Sequence, residues 1–360
     1  MMKHLMASVL VVCTLLLQAQ APKLVLPIGH TRGSGINKQQ FSPNGKLAIT
    51  SAEDMTVKIW DISTGKLLHD LKGYAGSVAA VHFLCSPDNR FLATVDGFNT
   101  FTVFNLQTGE PEYSFPWASE HRFLAFSFLP GESSLFLFDE GGDAWKATGS
   151  ELIKLYHVDD AAQQSFQRAA ISSDNTWLAA SSGSGIIKLM ERSSGREVSY
   201  FSADFSRYGC SELLFSNTGS YLCAAFADHQ LVLWNLNTFE HTTVTSSYKA
   251  NYSDGIAFSG KDTYLAYTTT GEQIEIYDLK KHEIRAILGG HSAGVESLCF
   301  GGETGKLLTT GYDSTLLVWD AGTGALLKTL RDFHDTPGVL DYNEATGYFM
   351  AGIWNKTIGI

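Results

Sequence analysis

Charge, proline and cysteine are all scarce in this 360-residue chain. Charged residues make up 18% of it, prolines number 8 and cysteines 5. The basic side is the weaker, with 26 Lys and Arg against 37 Asp and Glu and a formal net charge of −11. Binding to nucleic acid needs cations clustered on one face, so this balance argues against such a partner and against an anionic membrane surface. No run of like charge marks a tail or a linker. No apolar stretch reaches the roughly 20 residues that span a bilayer; the longest, Leu5 to Leu17, falls short. Histidines are scattered without metal-ligand spacing to Cys or to one another. There is no Gly-x-Ser-x-Gly elbow, and Gly33-Ser34-Gly35 and Gly183-Ser184-Gly185 lack the third glycine of a dinucleotide loop. The acid pairs Asp139-Glu140 and Asp159-Asp160 read as solvated loop ends. No catalytic residue, metal or cofactor is assigned.

What is present begins with a targeting pattern. Met1-Met2-Lys3-His4 is a short basic start, Leu5 to Leu17 is apolar, and Gln18-Ala19-Gln20-Ala21 offers the small residues that a signal peptidase reads. Residues 1–21 are therefore expected to be a signal peptide, cleaved after Ala21. The mature protein is then exported, periplasmic or extracellular, with no membrane insertion. Cys85, Cys210, Cys223 and Cys299 remain, each in an apolar strand pattern, and read as buried free thiols even though export permits disulfides. In a hairpin centred near Thr218, Leu214 and not Cys210 falls opposite Cys223.

A chain of this length exceeds one ordinary core, and a stack of repeats escapes that limit because each unit packs only on its neighbours. Two stretches show such a unit in full. Residues 291–324 run HSAGVESLCFGGETGKLLTTGYDSTLLVWDAGTG, a His, an apolar strand, a turn, a second strand, a tight turn, and a third strand ending Trp319-Asp320. Residues 30–65 repeat the order with the same steps, so that His30, Thr50, Asp54 and Trp60 match His291, Thr309, Asp313 and Trp319. This pattern resembles the WD40 repeat, the four-stranded blade of a β-propeller. The resemblance implies that the turn Asp accepts a hydrogen bond from the His ring, the His meets the Thr hydroxyl, and the indole N–H closes the chain. Those quartets would be structural. Aligned on the turn glycine after the third strand, the Trp position recurs as Trp60, Phe104, Ala144, Met190, Trp234, Tyr277 and Trp319. The turns SPNG, SPDN, SSDN, SNTG and SGKD separate first from second strands. In the fifth unit Asp228 and Trp234 persist with Ala224 in place of the hydroxyl; the third is the most divergent.

The two ends complement each other. Residues 23–29 read as a fourth strand with no blade before it, and residues after 337 supply first, second and third strands with no fourth. The fold expected over 22–360 is an all-β, WD40-type propeller of eight four-stranded blades, closed by the amino-terminal strand so that no edge is left open. The next Trp-type position falls after Ile360, so the chain is expected to be truncated; the alternative is seven blades plus the start of a second propeller. The family resemblance implies a non-catalytic scaffold that takes a protein or peptide on one face. Its candidate anchors, by position in the loops, are Arg32, Tyr74, Arg122, Arg207, Tyr208 and Tyr252. Two other readings stand. One is the recognition part of a longer exported bacterial protein, with a catalytic domain such as a caspase-like peptidase beyond residue 360. The other is a propeller enzyme, disfavoured because no acid repeats at the central strand starts.

Overall fold

A computed structural model describes residues 25–27, 36–52, 54–72, 82–159, 165–202, 209–249, 255–270, 272–301, 305–331, 337–343, 348–353 and 357–359. The regular elements among them are strands, paired antiparallel into four-stranded sheets. Seven blades, at 36–71, 82–116, 123–157, 166–202, 210–245, 256–288 and 295–330, are each built from four consecutive strands. The expected count of eight such blades is thus corrected to seven. The strands left over at the two ends form a further, composite sheet in the order Val25–Pro27, Thr357–Gly359, Tyr348–Ile353, Pro337–Asn343. Its outer pairing matches Val25 with Gly359, Leu26 with Ile358 and Pro27 with Thr357. Those outer strands are only three residues long, so this sheet is less than a full blade.

The local reasons for these strands are repeated from blade to blade. Each first-to-second turn reverses through a left-handed residue at its fourth position: Gly45, Asn89, Asn175, Gly219 and Asp262 all have positive φ. The serine opening the same turns accepts a backbone N–H five residues on, as in Leu47 N to Ser42 Oγ at 3.0 Å and Tyr221 N to Ser216 Oγ at 3.0 Å. Turn geometry and hydroxyl acceptor together fix the hairpin register, and one slip would turn the apolar face outward.

Cohesion comes from one apolar cluster between each neighbouring pair. Ile49 and Ile59 meet Phe83 and Leu92, Phe101 meets Phe128, and Phe138 meets Leu178. Ile187 meets Trp234, Leu233 meets Tyr267, Ile276 meets Trp319, and Leu308 meets Leu340. At roughly 25 cal/mol per Å2 of apolar surface removed from water, these contacts carry the fold. The ring closes through polar bonds between the first blade and the composite sheet. Gln39 Nε2 donates to Met350 O at 2.7 Å, Phe41 N to Asp341 Oδ2 at 2.5 Å, and Asn343 Nδ2 to Ser42 O at 3.1 Å. The first strand of every blade is innermost and lines a central channel. Cys85, Cys210 and Cys223 are buried free thiols and Cys299 is half-buried; Leu214 pairs with Cys223 as the hairpin requires. Burial pushes the Cys85 and Cys210 thiols up to about 12, which makes them poor nucleophiles.

Candidate functional site

One quartet is complete. His291 Nδ1 lies 3.1 Å from Asp313 Oδ1, its Nε2 lies 2.9 Å from Thr309 Oγ1, and Trp319 Nε1 donates to that oxygen at 3.0 Å. The chain is satisfied if Nδ1 carries the proton and donates to the carboxylate, Nε2 accepts from the Thr hydroxyl, and the hydroxyl oxygen accepts from the indole. Asp313 also accepts Ser292 N at 2.8 Å and Thr315 Oγ1 at 2.7 Å. Burial by itself raises its pKa, but the hydrogen bonds from Thr315, Ser292 and His291 outweigh burial and hold it at about 2. The ring and carboxylate are 2% and 8% exposed, so the network anchors a loop and offers a ligand almost nothing. Of the first quartet, Trp60 Nε1 donates to Thr50 Oγ1 at 3.4 Å and Asp54 accepts Thr56 Oγ1 at 2.7 Å; His30 lies outside the described residues.

The third blade differs from expectation. Strand register, Leu135 with Ala147 where another blade pairs Leu307 with Trp319, places Ala147 and not Ala144 at the Trp position. The turn there is shorter: Thr148 pairs with Glu151, whereas Asp61 pairs with Lys66. Asp139 is no solvated loop end either. It is fully buried and accepts Asp143 N at 2.9 Å, Ser119 Oγ at 3.0 Å and Trp145 Nε1 at 3.0 Å. The sequence held a signal for this network: Asp139 precedes Trp145 by the same six residues as Asp313 precedes Trp319. Asp159 is the exposed loop end that was expected.

The face carrying the loops before each first strand and after each second strand is the candidate interaction surface. Arg122 is there, its side chain 59% exposed and its Nε 3.6 Å from Glu140 Oε2. Arg32, Tyr74, Arg207, Tyr208 and Tyr252 lie outside the described residues. Sequence reasoning passed over Met55, Phe98 and Tyr312, which sit in the second-to-third turns of three blades; Phe98 is 70% exposed. Met55 and Phe98 occupy tight turns whose polar neighbours signalled a loop, and nothing in the sequence said that their own side chains would be left outside. Trp117, bonded through its N–H to Asn99 O at 2.9 Å, extends this patch towards Arg122. Its indole donates to His121 O at 2.6 Å, and its ring lies edge-on to Trp145 at 6.1 Å.

Below that patch the channel holds a cavity of about 640 Å3 between the inner strands of blades one to four. Its wall runs from Asp96, Asn99 and Arg122 at the upper mouth to Pro87, Ser173 and Asn175 below. The side chains facing in alternate with those packed between blades, which puts Lys38, His82 and Arg168 in one layer and Ser127 in the next. Lys38 Nζ donates to Phe83 O at 3.0 Å. His82 is held below the ordinary histidine value, first by partial burial and then by the charge of Lys38. A second cavity, about 410 Å3, lies across the channel beside Leu214, Cys299 and Asp341. Among the described residues no group of His, Cys, Asp and Glu could hold a metal.

Two segments, 22–61 and 282–320, match the family model described as WD domain, G-beta repeat. The chain carries WD40 repeats. Among curated proteins it is 22% identical over 300 residues to a WD repeat-containing protein 26 homolog of Arabidopsis thaliana, covering 78% of this chain and 47% of that one. It is 22% identical over 285 residues to WD repeat-containing protein ATCSA-1 of the same plant, covering 77% and 60%. It is 23% identical over 318 residues to angio-associated migratory cell protein of Homo sapiens, covering 82% and 69%. The chain thus spans about half to two thirds of the length of these relatives. They are plant and human proteins, so the expected likeness to exported bacterial WD40 proteins gains no support from them. Among solved structures, the crystal structure of the computationally designed Ika8 protein superposes with a TM-score of 0.67 at 19% identity, covering 91% of this chain and 95% of that one, a likeness of fold.

Proposed function

We propose that this WD40 propeller is a non-catalytic platform that binds a protein or peptide on the face bearing Met55, Phe98, Trp117, Arg122 and Tyr312. The observation that carries the reading is Phe98: a large apolar ring 70% exposed, beside Trp117 and an exposed arginine. Aromatic and arginine side chains at the centre of a patch are the usual binding anchors, because they bury much surface at small entropic cost. The quartets support the face by fixing its loops. Their own polar atoms are engaged, so they are not the contact. The experiment is crosslinking capture from the native extract with the wild-type chain and with a Phe98→Ala, Arg122→Ala double variant. The double variant loses the captured partner while its thermal unfolding stays within about 1–2 °C of wild type, since exposed substitutions change stability little. Retention of the partner would overturn the reading.

The share of the relatives' length left uncovered favours a second reading, in which this propeller is the recognition part of a longer protein. Reading the coding sequence beyond Ile360 decides it, and an immediate stop codon removes it. Export remains a proposal resting on the amino-terminal pattern. Amino-terminal sequencing of the native protein checks it, and recovery of Met1 in the mature chain would overturn it.

A further inference from the structure

The search covered the two channel cavities, the small pocket at Tyr221 and His241, the exposed fourth strands, the buried thiols and the buried Asp262. Asp262 is fully used: it accepts Ser216 Oγ and Asn217 N and locks the fifth blade to the sixth. The thiols are buried and raised, and the small pocket has too little wall to hold a ligand. The larger channel cavity is different, because its charge runs against that of the chain.

In a protein of net charge −11, this wall presents Lys38, Arg122 and Arg168 against a single acid, Asp96. That acid is occupied: its Oδ1 accepts Phe98 N at 3.0 Å and Thr100 N at 2.8 Å within its own turn. Arg168 is exposed to the channel and bonds two backbone carbonyls, Ser211 O at 2.8 Å and Gln167 O at 3.0 Å, and no carboxylate among the described residues. Ser127 supplies an independent observation. It is 8% exposed, on the channel side of its strand, and its hydroxyl has no hydrogen-bond partner among the described residues. Enclosed polar groups are ordinarily paired, so this donor marks a position where an acceptor belongs.

We infer that the cavity receives the carboxylate of an acidic side chain from a partner peptide, held by Arg168 and Ser127 as the peptide crosses the upper mouth. This rests on the platform reading above and names the partner's chemistry. A guanidinium and a hydroxyl converging on one point suit a carboxylate, because charge-assisted hydrogen bonds in a partly shielded site are the strong ones. A peptide is favoured over a free small acid because the mouth is flanked by Phe98 and Trp117. Those rings would pack on neighbouring apolar residues of a chain and would leave a lone anion untouched. At about 640 Å3 the space fits one long side chain with room for its backbone at the rim.

The test uses fluorescein-labelled eight-residue peptides of alternating Glu and aromatic residues, and their Gln counterparts, titrated with the full chain in fluorescence polarisation. The Glu peptide binds at least tenfold tighter than the Gln peptide, and the preference shrinks as NaCl rises from 50 to 300 mM. Arg168→Gln abolishes the preference and Ser127→Ala weakens it several-fold, while Lys72→Gln, an exposed surface cation, leaves it unchanged. Equal binding of the two peptides, or a preference that survives Arg168→Gln in a folded chain, overturns the inference. Should Arg168→Gln fail to fold, Arg168→Lys and the wild-type Glu-over-Gln ratio decide instead. Displacement by glutarate as effective as by unlabelled peptide would overturn the peptide as occupant. Loss of the native partner in the Phe98→Ala, Arg122→Ala chain without a Glu-over-Gln preference sinks this inference alone and spares the platform.

Discussion

In the blade at 295–330 the loop before the first strand is tied down by His291 and Asp313, whereas in the blade at 123–157 the equivalent positions hold Ser119 and Gly141. The register explains how both work. Gly311 pairs with Val295 just as Asp139 pairs with Phe123, each immediately before a bulge. At Gly311 the missing side chain makes room for an imidazole: a Cβ there would sit 2.6 Å from His291 Nδ1. In the third blade the small residue is Ser119, and the carboxylate of Asp139 fills the space from the strand side. Trp145 then donates from a position two residues earlier than Trp319 does. A buried acid with several donors is common to the two; the histidine is dispensable. What must be met is the requirement that every enclosed donor at the loop junction find an acceptor.

If that is the lesson, removing either acid is costly, and the quartet acid is the costlier. Asp313→Ala orphans Ser292 N, the Thr315 hydroxyl and the His291 ring in a site where ring and carboxylate are 2% and 8% exposed. The expected loss is about 3 kcal/mol in urea unfolding. Asp139→Ala orphans an equal number, but Ser119 and Trp145 are half-buried and can turn to water, so about 2 kcal/mol is expected. Equal losses would show that burial of the donors is not what separates the two blades.

Gly311→Ala sharpens the comparison from the opposite side. The added methyl meets the His291 ring and Gly294 O at 3.1 Å, and the ring is held at both nitrogens. A cost of about 2 kcal/mol is expected, as for other overpacked cores. A neutral result would mean that the ring has freedom that its bonds deny.

Much of the fold was legible because it depends on local chemistry. Strand spacing, serine-led turns and a glycine, asparagine or aspartate at the left-handed position repeat along the chain, and so does the pairing of the two chain ends. The composite sheet's outer strands were harder to size, since three-residue strands leave no periodicity to count. The third blade was misread because its third turn is two residues shorter, which moved the glycine used for alignment relative to the strands. Asp139 was hidden for a related reason: which acid is buried depends on the partner strand, and no spacing rule states that. The candidate surface was least legible. Phe98 looks like any turn residue until its ring is seen outside, and Ser127 looks like any strand serine until its partner is sought.

Acid separates the blades next. Asp313 is held at about 2 in the folded chain against 3.8 for an unperturbed Asp. A depressed folded value stabilises above the unfolded one and is lost as pH falls, so this contribution is full above about pH 4 and gone near pH 2. With the carboxylate only 8% exposed, solvent screening is slight and the window is worth about 2 kcal/mol. Urea midpoints measured from pH 5 to 2.5 therefore fall less steeply in Asp313→Asn than in wild type. Parallel slopes would show that this carboxylate is not what titrates.

The smallest effect tests the substitute network most directly. Trp145→Phe keeps the ring against Trp117 and removes one donor from Asp139, which still accepts Asp143 N and Ser119 Oγ. The expected loss is about 1 kcal/mol, the net worth of one hydrogen bond to a charged acceptor in a half-buried site. Trp319→Phe should cost more, because its indole is 3% exposed and its loss leaves Thr309 Oγ1 without the donor that completes its bonding. If Trp145→Phe is neutral, the Asp139 carboxylate is satisfied by the turn amide and serine alone, and the indole is merely packed beside it. If instead it matches Trp319→Phe, the two blades have converged in energy as well as in topology, and the quartet has no special claim as the family's anchor in this chain.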